Sequence, residues 1–225
     1  MNKNKFLVFS YYSNKVSGYN PHFELSKITT PTFEQYCKIH NYDFCCRNVD
    51  FNRLGWAKLD IFLEESDKYD WIFYVECDSM LMNETIRLEN LIDNNYELII
   101  SKTNRTEYVE LNTGPMLMKC SEWNRIFFDE ILNNKNYQSN LAAEQSALMN
   151  EVNTNENIKK KIKLVELRYF NSLYHQWHPY VNFKIGDFIT HSAGCSMDFR
   201  FKLFNELKNH IIKVPDYKIP FEPFI

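Results

Sequence analysis

Two carboxylates stand two positions apart at the point where a buried strand would end. Glu76 and Asp78 follow the apolar run at residues 71–75. In extended backbone, side chains at positions i and i+2 point to the same side, so both carboxylates can reach one ligand. Carboxylate oxygens bind hard divalent cations, and a cation held in this way can hold a diphosphate. The pattern alone supports two alternatives about equally: a cation site, or solvated carboxylates and helix caps.

A histidine lies at the end of another apolar run, in the segment Thr190-His-Ser-Ala-Gly-Cys195. A neutral imidazole at a strand end can complete a cation site, and it suits Mn²⁺ better than Ca²⁺ or Mg²⁺. A single histidine is more often an ordinary hydrogen-bonded residue. His191 alone is therefore weak support for a metal site.

The elements that must position these residues are short apolar runs that alternate with amphipathic segments. The pattern predicts a helix that begins at Thr30, with Pro31 in the first helical position. It also predicts strands at residues 6–9, 71–75, 98–100, 115–118, 163–167 and 188–190, and helices at residues 55–66, 122–132, 142–150 and 199–209. The polar segment 150–161 is predicted to be a surface connection. Strands that alternate with helices indicate an α/β fold with a mostly parallel central sheet flanked by helices. Ligands of such sheets bind beyond the carboxyl ends of the strands, which is where the two carboxylates and the histidine would lie.

Length and composition suit a single domain and exclude several classes of protein. The chain has 225 residues, 44% of them hydrophobic, and its 26 basic and 29 acidic side chains give a net charge of −3. Such a chain has no overall basic field for nucleic acid or anionic lipid. With only five glycines, it contains neither a dinucleotide fingerprint nor a P-loop. We expect one domain over residues 1–212, and a proline-rich tail at 213–225 that packs on it through Tyr217, Phe221 and Phe224.

The expected location follows from apolar segments and cysteines. No apolar run reaches the roughly 7–15 residues of a signal peptide or the roughly 20 of a spanning helix. The six cysteines include no CxxC pair and are predicted to be reduced thiols. We therefore expect a soluble, cytoplasmic protein without a membrane span.

Five segments, in the same order along the chain, resemble the motifs of glycosyltransferase family thirty-four, which groups galactosyl-, mannosyl- and xylosyltransferases. They are GWAKL at residues 55–59, ECDSMLMN at 76–83, LNTGPMLMKCSEW at 111–123, AEQSAL at 143–148 and HSAGC at 191–195. The segment YCKIHNY at 36–42 is similar to a further motif near the start of such chains. The resemblance implies a GT-A (Rossmann-like) fold and the retaining transfer of a hexose or pentose from a nucleotide sugar.

The same resemblance implies a site for Mn²⁺, or Mg²⁺, that bridges the diphosphate of the donor. It makes Asp78 the firmest metal ligand and His191 its companion. The first acid of the family motif is usually aspartate, and Glu76 is one methylene longer. Glu76 would therefore bind the metal directly, act through water or hold the ribose of the donor.

Further site residues follow from the resemblance, and each has an ordinary structural alternative. Gln145 is implied at the β-face of the anomeric carbon, and because an amide is a poor nucleophile we expect a front-face mechanism. Glu144 would orient sugar hydroxyls, or only compensate the dipole of its helix. Lys58 would lie near the phosphates, or be an exposed helix lysine. Asn112 and Gly114 would lie beside the donor sugar, or form an ordinary turn.

Residues at the end of the first strand suit the nucleobase of the donor. Ser10, Tyr11 and Tyr12 follow that strand, where enzymes of this fold stack the base, and the tyrosine pair favours uridine. Gly194, in the last motif, is also implied in donor binding. The aromatic stretch at 169–177 suits an acceptor sugar, although core packing is the more common role of any one such ring.

Three functions remain open at this point. The leading one is a metal-dependent retaining glycosyltransferase that uses a UDP-sugar and a glycan, glycolipid or glycoprotein acceptor, with no nucleic-acid partner. The second is an inactive module of the same fold that binds a nucleotide sugar or a glycan, in which Glu76 marks the loss of activity. The third is a nucleotidylyltransferase, although no glycine-rich loop is present to hold a triphosphate.

Overall fold

The computed structural model describes residues 4–13, 21–103, 108–137, 143–174 and 183–215. Strands and helices alternate along these ranges, as the apolar pattern predicts. The elements in chain order are β1 (Phe6–Ser13), α1 (Pro21–His40), β2 (Asp43–Val49), α2 (Ala57–Glu65), β3 (Trp71–Tyr74), β4 (Ser79–Leu81), β5 (Leu98–Lys102), β6 (Leu111–Lys119), α3 (Glu122–Asn133), α4 (Ala143–Thr154), α5 (Glu156–Lys159), β7 (Ile162–Glu166), β8 (Ser172–Leu173), β9 (Ile189–His191) and α6 (Met197–Leu207).

A six-stranded sheet of order β2-β1-β3-β6-β5-β7 forms the centre of the fold. The pairs β1–β2, β1–β3 and β5–β7 are parallel, while β6 runs antiparallel to both of its neighbours. The predicted α/β fold with a mostly parallel sheet is confirmed, with one reversed strand. The apolar sequence of β6 carries no information about direction, which depends on the connections before and after the strand.

Apolar side chains cover both faces of the central sheet. Along β1, Leu7 and Phe9 enter a core shared with α2, α3 and α4, whereas Phe6 and Val8 enter a core shared with α1. This alternation is the pleat of a strand that is buried on both faces. Strand β1, which pairs with the strand before the predicted carboxylates, is thus anchored from both sides.

Helix α1 is longer than predicted, because it begins at Pro21 and not at Thr30. Leu25 and Phe33 are both buried, two helical turns apart, so one apolar face continues along the whole helix. Pro31 lies inside the helix with its ring exposed. Packing of the buried face therefore outweighs the backbone hydrogen bond that a proline removes.

Strand β1 also differs from its predicted end. It continues to Ser13, so Ser10, Tyr11 and Tyr12 lie within the strand and do not follow it. These residues pair with β2, an edge strand whose side chains are half-buried or exposed and show no clean alternation. Without that alternation, the sequence pattern predicted neither β2 nor the extension that pairs with it.

The segment 150–161 is not the surface connection that was predicted. Helix α4 extends to Thr154, and α5 begins directly after Asn155. The Asn155 side chain accepts hydrogen bonds from the first backbone N–H groups of α5, which is the role of an N-cap. The segment is polar because the end of α4 and all of α5 are exposed or half-buried except at Val152, so hydrophobic periodicity could not reveal these helices.

Candidate active site

Two small strands bring the predicted metal ligands together. After Glu76 and Asp78 the chain enters β4, which belongs to a three-stranded sheet of order β4-β9-β8. Strand β4 pairs antiparallel with β9, and this register places Ser79 opposite His191. The backbone N–H of Ser192 donates to the carbonyl of Asp78 at 3.0 Å. Two motifs that are distant in sequence thereby become neighbours.

Glu76, Asp78 and His191 form a compact group, hereafter the acidic cluster. One potential ligand atom from each residue lies within 4.8 Å of the other two. His191 Nε2 is 2.8 Å from Glu76 Oε2 and 3.3 Å from Asp78 Oδ1. Asp78 and His191 are buried, whereas the carboxylate of Glu76 remains partly exposed.

The surroundings of His191 Nε2 fit a divalent cation. This atom is buried, and among the described residues it has no hydrogen-bond partner, because its contacts with the two carboxylates lack hydrogen-bond geometry. Three ligand atoms thus converge on one point. Two carboxylate oxygens and an imidazole nitrogen are a donor set that suits Mn²⁺.

Charges within the acidic cluster outweigh the effect of burial. Burial alone lowers the pKa of His191, but the adjacent charges of Asp78 and Glu76 raise that pKa to about 10. Burial raises the pKa of Asp78, but the charges of His191 and Arg200 lower that pKa well below its usual range. The carboxylates therefore stabilise positive charge at the position of the imidazole.

Arg200, on α6, contacts the acidic cluster and was missed by the sequence analysis. Its Nη2 is 2.9 Å from Asp78 Oδ2, and its Nε donates to the carbonyl of Ser192 at 3.2 Å. The buried guanidinium fixes one oxygen of Asp78 and leaves the other beside His191. No local signal distinguishes this arginine from other charged helix residues, because its contacts depend on the packing of α6.

A second buried ionic group, hereafter the lysine cluster, consists of Lys58, Thr113 and Glu144. Lys58 Nζ is 2.7 Å from Glu144 Oε1 and donates to the carbonyl of Thr113 at 2.8 Å. The Thr113 hydroxyl donates to the same Glu144 oxygen at 2.8 Å. Lys58 Nζ also lies 4.6 Å from the centre of the Tyr74 ring and 3.7 Å from Glu76 Oε1. Lys58 is only 2% exposed, which excludes the alternative of an exposed helix lysine.

Both clusters contribute to the wall of a cavity of about 490 Å³ at the carboxyl ends of β1 and β3. A volume of this size suits a small ligand with several polar groups. The predicted catalytic residues Glu144 and Gln145 line it, together with Lys58, Tyr11 and Tyr12. The structure thus brings most of the predicted site residues to one place.

Gln145 is held in the cavity wall by Thr113. The Oε1 atom of Gln145 accepts a hydrogen bond from the backbone N–H of Thr113 at 3.2 Å, and it lies 3.2 Å from the Thr113 hydroxyl, whose single proton is donated to Glu144. The amide oxygen is therefore fixed beside the lysine cluster. Thr113, which the sequence analysis did not single out, positions both Glu144 and Gln145.

The two predicted tyrosines have different environments. The Tyr11 ring is buried and stacks on Tyr74 with a centroid distance of 5.2 Å, and its hydroxyl donates to the carbonyl of Leu54 at 2.8 Å. Tyr12 is half-buried, and its ring lies 5.0 Å from that of Phe23. Tyr11 therefore combines core packing with a place in the cavity wall, and Tyr12 is the more accessible ring.

Five predicted residues do not line this cavity, and one of them is His191, which lies buried behind the carboxylates of the acidic cluster. Ser10 is buried within β1, and Gly194 lies in an exposed turn with φ 71°. Asn112 and Gly114 lie in strand β6, which excludes an ordinary turn, and they lie next to His191. A Cβ at Gly114 would be 2.6 Å from His191 Cε1, so only glycine fits there.

Two expectations fall partly or wholly outside the described residues. The aromatic stretch is described only up to Tyr174, and within it Phe170 is buried in the core. The tail residues Tyr217, Phe221 and Phe224 lie outside the described ranges. Among the helices described, none combines the length and apolar character that crossing a bilayer requires.

The chain matches one protein family over most of its length, including the residues of the candidate site. Residues 3–104 and 93–202 match the galactosyl transferase GMA12/MNN10 family. The chain belongs to this family. The matched residues include both ionic clusters and all the motifs on which the resemblance depended. Membership of this family favours glycosyl transfer over the nucleotidylyltransferase alternative.

Similar proteins share the fold over most of the chain. An uncharacterized alpha-1,2-galactosyltransferase of Schizosaccharomyces pombe is 24% identical in an alignment 228 positions long, which covers 77% of this chain but only 64% of that protein. A glycosyltransferase involved in the glycosylation of the major capsid of PBCV-1 superposes with a TM-score of 0.70 at 15% identity, covering 90% of this chain and 99% of that chain. An active-site mutant of LgtC superposes with a TM-score of 0.60 at 14% identity, covering 94% and 98%. The structural likeness shows the GT-A fold.

Proposed function

We propose that this chain is a retaining galactosyltransferase that uses Mn²⁺ and UDP-galactose to add an α-linked sugar to a glycan, glycolipid or glycoprotein. The family and the S. pombe relative both bear galactosyl transfer in their names. UDP-galactose holds its sugar in α linkage, so an α-linked product requires retention of configuration. Transfer of another hexose or of a pentose is the nearest alternative.

The unpartnered Nε2 atom of His191 is the observation that carries the proposal. It is buried between carboxylate oxygens at 2.8 and 3.3 Å, contacts that attract it by charge but lack hydrogen-bond geometry. Asp78, His191 and Glu76 would hold the cation there. When bound, the cation stabilises the negative charge that develops on the departing diphosphate.

Arg200 prepares Asp78 for this role. Its guanidinium occupies Oδ2 of Asp78, so the carboxylate keeps Oδ1 directed to His191. Charge-assisted bonds of this kind give a fixed geometry as well as energy. The arginine also offsets part of the negative charge that the two carboxylates concentrate beside the cavity.

The lysine cluster and Gln145 would act on the sugar. Glycosyl transfer develops positive charge at the anomeric carbon. The amide oxygen of Gln145, which Thr113 fixes, offers a neutral dipole to that charge, and an amide is a poor nucleophile. A front-face reaction therefore suits this site better than a covalent intermediate. Glu144, held by Lys58, would accept hydrogen bonds from sugar hydroxyls.

The donor base would lie against the tyrosines at the end of β1. Tyr12 offers an accessible ring face, and Tyr11 is held rigid by its stacking on Tyr74. Calorimetric titration of UDP, GDP and CMP in the presence of Mn²⁺ tests the preference for uridine. Tighter binding of GDP than of UDP would contradict it.

The decisive experiment follows the sugar from donor to product. The full chain is incubated with UDP-galactose, with Mn²⁺ or with EDTA, and the anomer of the released galactose is followed by NMR. We expect Mn²⁺-dependent hydrolysis with α-galactose appearing first. Release of β-galactose first would contradict retention. Binding of UDP-galactose without any turnover, even with candidate acceptors, would support the inactive binding module.

The cytoplasmic location stays a prediction from the sequence. Fractionation of cells that express the untagged chain tests it. We expect the protein in the soluble fraction, and recovery in the membrane pellet after a high-salt wash would contradict the prediction.

A further inference from the structure

A relay of three hydrogen bonds links the backbone of β6 to His191. The N–H of Gly114 donates to Oδ1 of Asn112 at 2.9 Å, and Nδ2 of Asn171 donates to the same oxygen at 2.8 Å. The other end of the Asn171 amide, Oδ1, lies 2.9 Å from Nδ1 of His191. Asn171 and His191 are both buried, so water does not compete for the bond between them.

The relay has one consistent set of donors and acceptors. A backbone N–H can only donate, so the Asn112 atom that faces Gly114 must be the amide oxygen. Asn171 must then present its NH₂ group to that oxygen and its own oxygen to His191. Nδ1 of His191 therefore carries a proton, and Nε2 is the nitrogen that faces the two carboxylates.

Close packing keeps the imidazole in this orientation. A Cβ at Gly114 would lie 2.6 Å from Cε1 and 2.9 Å from Nδ1 of His191, so the ring lies directly against the backbone of β6. The ring cannot turn toward β6, and its opposite edge meets Glu76 and Asp78. Both the tautomer and the direction of the ring are thus fixed.

We infer that Asn112 and Asn171 are positioning residues that hold His191 as a nitrogen ligand for a divalent cation. The inference rests on the metal site of the proposed function and adds the residues that determine its third ligand. Ligating histidines commonly donate their other N–H to an oxygen, which fixes the tautomer, and loss of that partner weakens metal binding. Neither asparagine lines the cavity, so both act through His191.

A fixed nitrogen ligand affects which cations the site prefers. Mn²⁺ and Co²⁺ accept imidazole nitrogen, whereas Ca²⁺ takes oxygen ligands. Breaking the relay should therefore weaken the binding of Co²⁺ and Mn²⁺ while the carboxylates continue to bind Ca²⁺. A merely structural asparagine would not change one affinity without the other.

The test compares Asn171→Leu with Asn124→Leu in the full chain. Asn124 is as completely buried, but it lies on α3 and donates to the carbonyls of Glu97 and Lys119. CoCl₂ and CaCl₂ are titrated separately by calorimetry, and the visible spectrum of bound Co²⁺ reports nitrogen ligation. We expect Asn171→Leu to lose about 10- to 100-fold in Co²⁺ affinity and to keep its Ca²⁺ affinity. Asn124→Leu should change neither affinity.

A second pair of variants keeps the inference testable if Asn171→Leu does not fold. Asn112→Asp keeps an oxygen that can accept from Gly114 and Asn171, so it should retain the Co²⁺ affinity and spectrum of the wild type. Asn112→Leu removes that oxygen and should lose Co²⁺ affinity selectively. The conservative variant thus separates the hydrogen bond from the volume of the side chain.

The possible results separate this inference from the function on which it rests. If the wild type binds Co²⁺ and the leucine variants bind it equally well, or lose Co²⁺ and Ca²⁺ affinity in parallel, the relay is overturned and the metal site stands. If the wild type binds neither Co²⁺ nor Mn²⁺, the metal site of the proposed function fails and the relay fails with it.

Discussion

The two buried ionic groups beside the cavity differ in how completely their charges are paired. In the lysine cluster, Lys58 has a carboxylate, a carbonyl and an aromatic ring around its ammonium group. In the acidic cluster, two carboxylates meet one imidazole whose Nε2 lacks a hydrogen-bond partner among the described residues. The first group is complete without a ligand, and the second would gain stability on binding the proposed cation. Burial of charge alone therefore does not mark a ligand site, whereas an unpaired polar atom within the buried charge does.

Replacement of Lys58 by methionine should have the largest effect on stability, because it removes the only cation of the lysine cluster. Glu144 would remain buried without its cation, and we expect the free energy of unfolding in urea to fall by about 3–5 kcal/mol. The double variant Lys58→Met with Glu144→Gln should recover part of that loss. The control Lys27→Met removes an exposed ion pair with Glu24 and should cost less than about 1 kcal/mol. An equally small cost for Lys58→Met would contradict the contrast between the two groups.

Replacement of Asp78 by asparagine should lower both turnover and stability. The acidic cluster would lose the carboxylate that both His191 and Arg200 contact, and we expect Mn²⁺-dependent turnover to fall on the order of a hundredfold. The melting temperature should fall as well, because the buried Arg200 and His191 lose the carboxylate whose pKa they lower, so turnover is compared at a temperature at which the variant is folded. The matched control is Asp187→Asn, a buried aspartate paired with Arg168 outside the cavity, which should leave Mn²⁺ dependence unchanged. Full activity of Asp78→Asn at ordinary Mn²⁺ concentrations would exclude the site as described.

Two glycine variants test whether the acidic cluster also depends on close packing against His191. Gly114→Ala would push a methyl group against His191, and we expect Mn²⁺ affinity to fall about tenfold. Gly186→Ala meets no atom within 4 Å, but its φ of +106° strains the backbone. It should cost stability and leave Mn²⁺ affinity unchanged, as measured by thermal melting and electron paramagnetic resonance. Equal Mn²⁺ affinities for the two variants would show that His191 tolerates displacement.

Shortening the first acid should have a mild effect on the acidic cluster. Glu76 is partly exposed, so its side chain can adjust more freely than that of Asp78. We expect Glu76→Asp to retain most turnover, and its Mn²⁺ requirement to change less than in Gly114→Ala. A loss as large as that of Asp78→Asn in the same titration would assign the two acids equal roles.

The ion pair of Asp187 with Arg168, outside the cavity, should give the smallest of these effects. It should make the stability of the fold depend on pH. Burial raises the pKa of Asp187, but hydrogen bonds from Arg168, Lys184 and Ser172 lower it below its ordinary value. The unfolded chain therefore binds more protons in this range, and the stabilisation present above about pH 4 is lost as the pH falls through the folded pKa. Urea unfolding between pH 3 and about pH 6 should show a weaker slope for Asp187→Asn. An unchanged slope would show that this pair does not contribute.

The sequence was sufficient for the parts of the molecule that local pattern determines. Apolar runs predicted the buried strands β1, β3 and β6, and carboxylates two positions apart pointed to one side of the chain. The ligand types at Glu76, Asp78 and His191 favoured a cation site, and the structure brings these three residues together. These features depend on residues that are neighbours in sequence.

The remainder of the site depends on tertiary contacts that no local pattern contains. Arg200 and Asn171 acquire their roles from the packing of α6 and from the turn before β8, and neither stands in a recognisable spacing. The three-residue pairing of β4 with β9 is too short to be distinguished from a loop by periodicity. Lys58 was ambiguous for the same reason, because its burial depends on β6 and α4 meeting above α2.

The pairing of β4 with β9 also governs when the site can form. The hydrogen bond between Asp78 and Ser192 joins residues 114 positions apart, and contacts of such separation form late because loop closure must precede them. Arg200 lies further still along the chain, on α6. During synthesis the first core can therefore collapse around β1 and β3 while Asp78 still has no partners. The proposed cation site would form only when the last described strand and helix are in place, so metal binding would report completion of the fold.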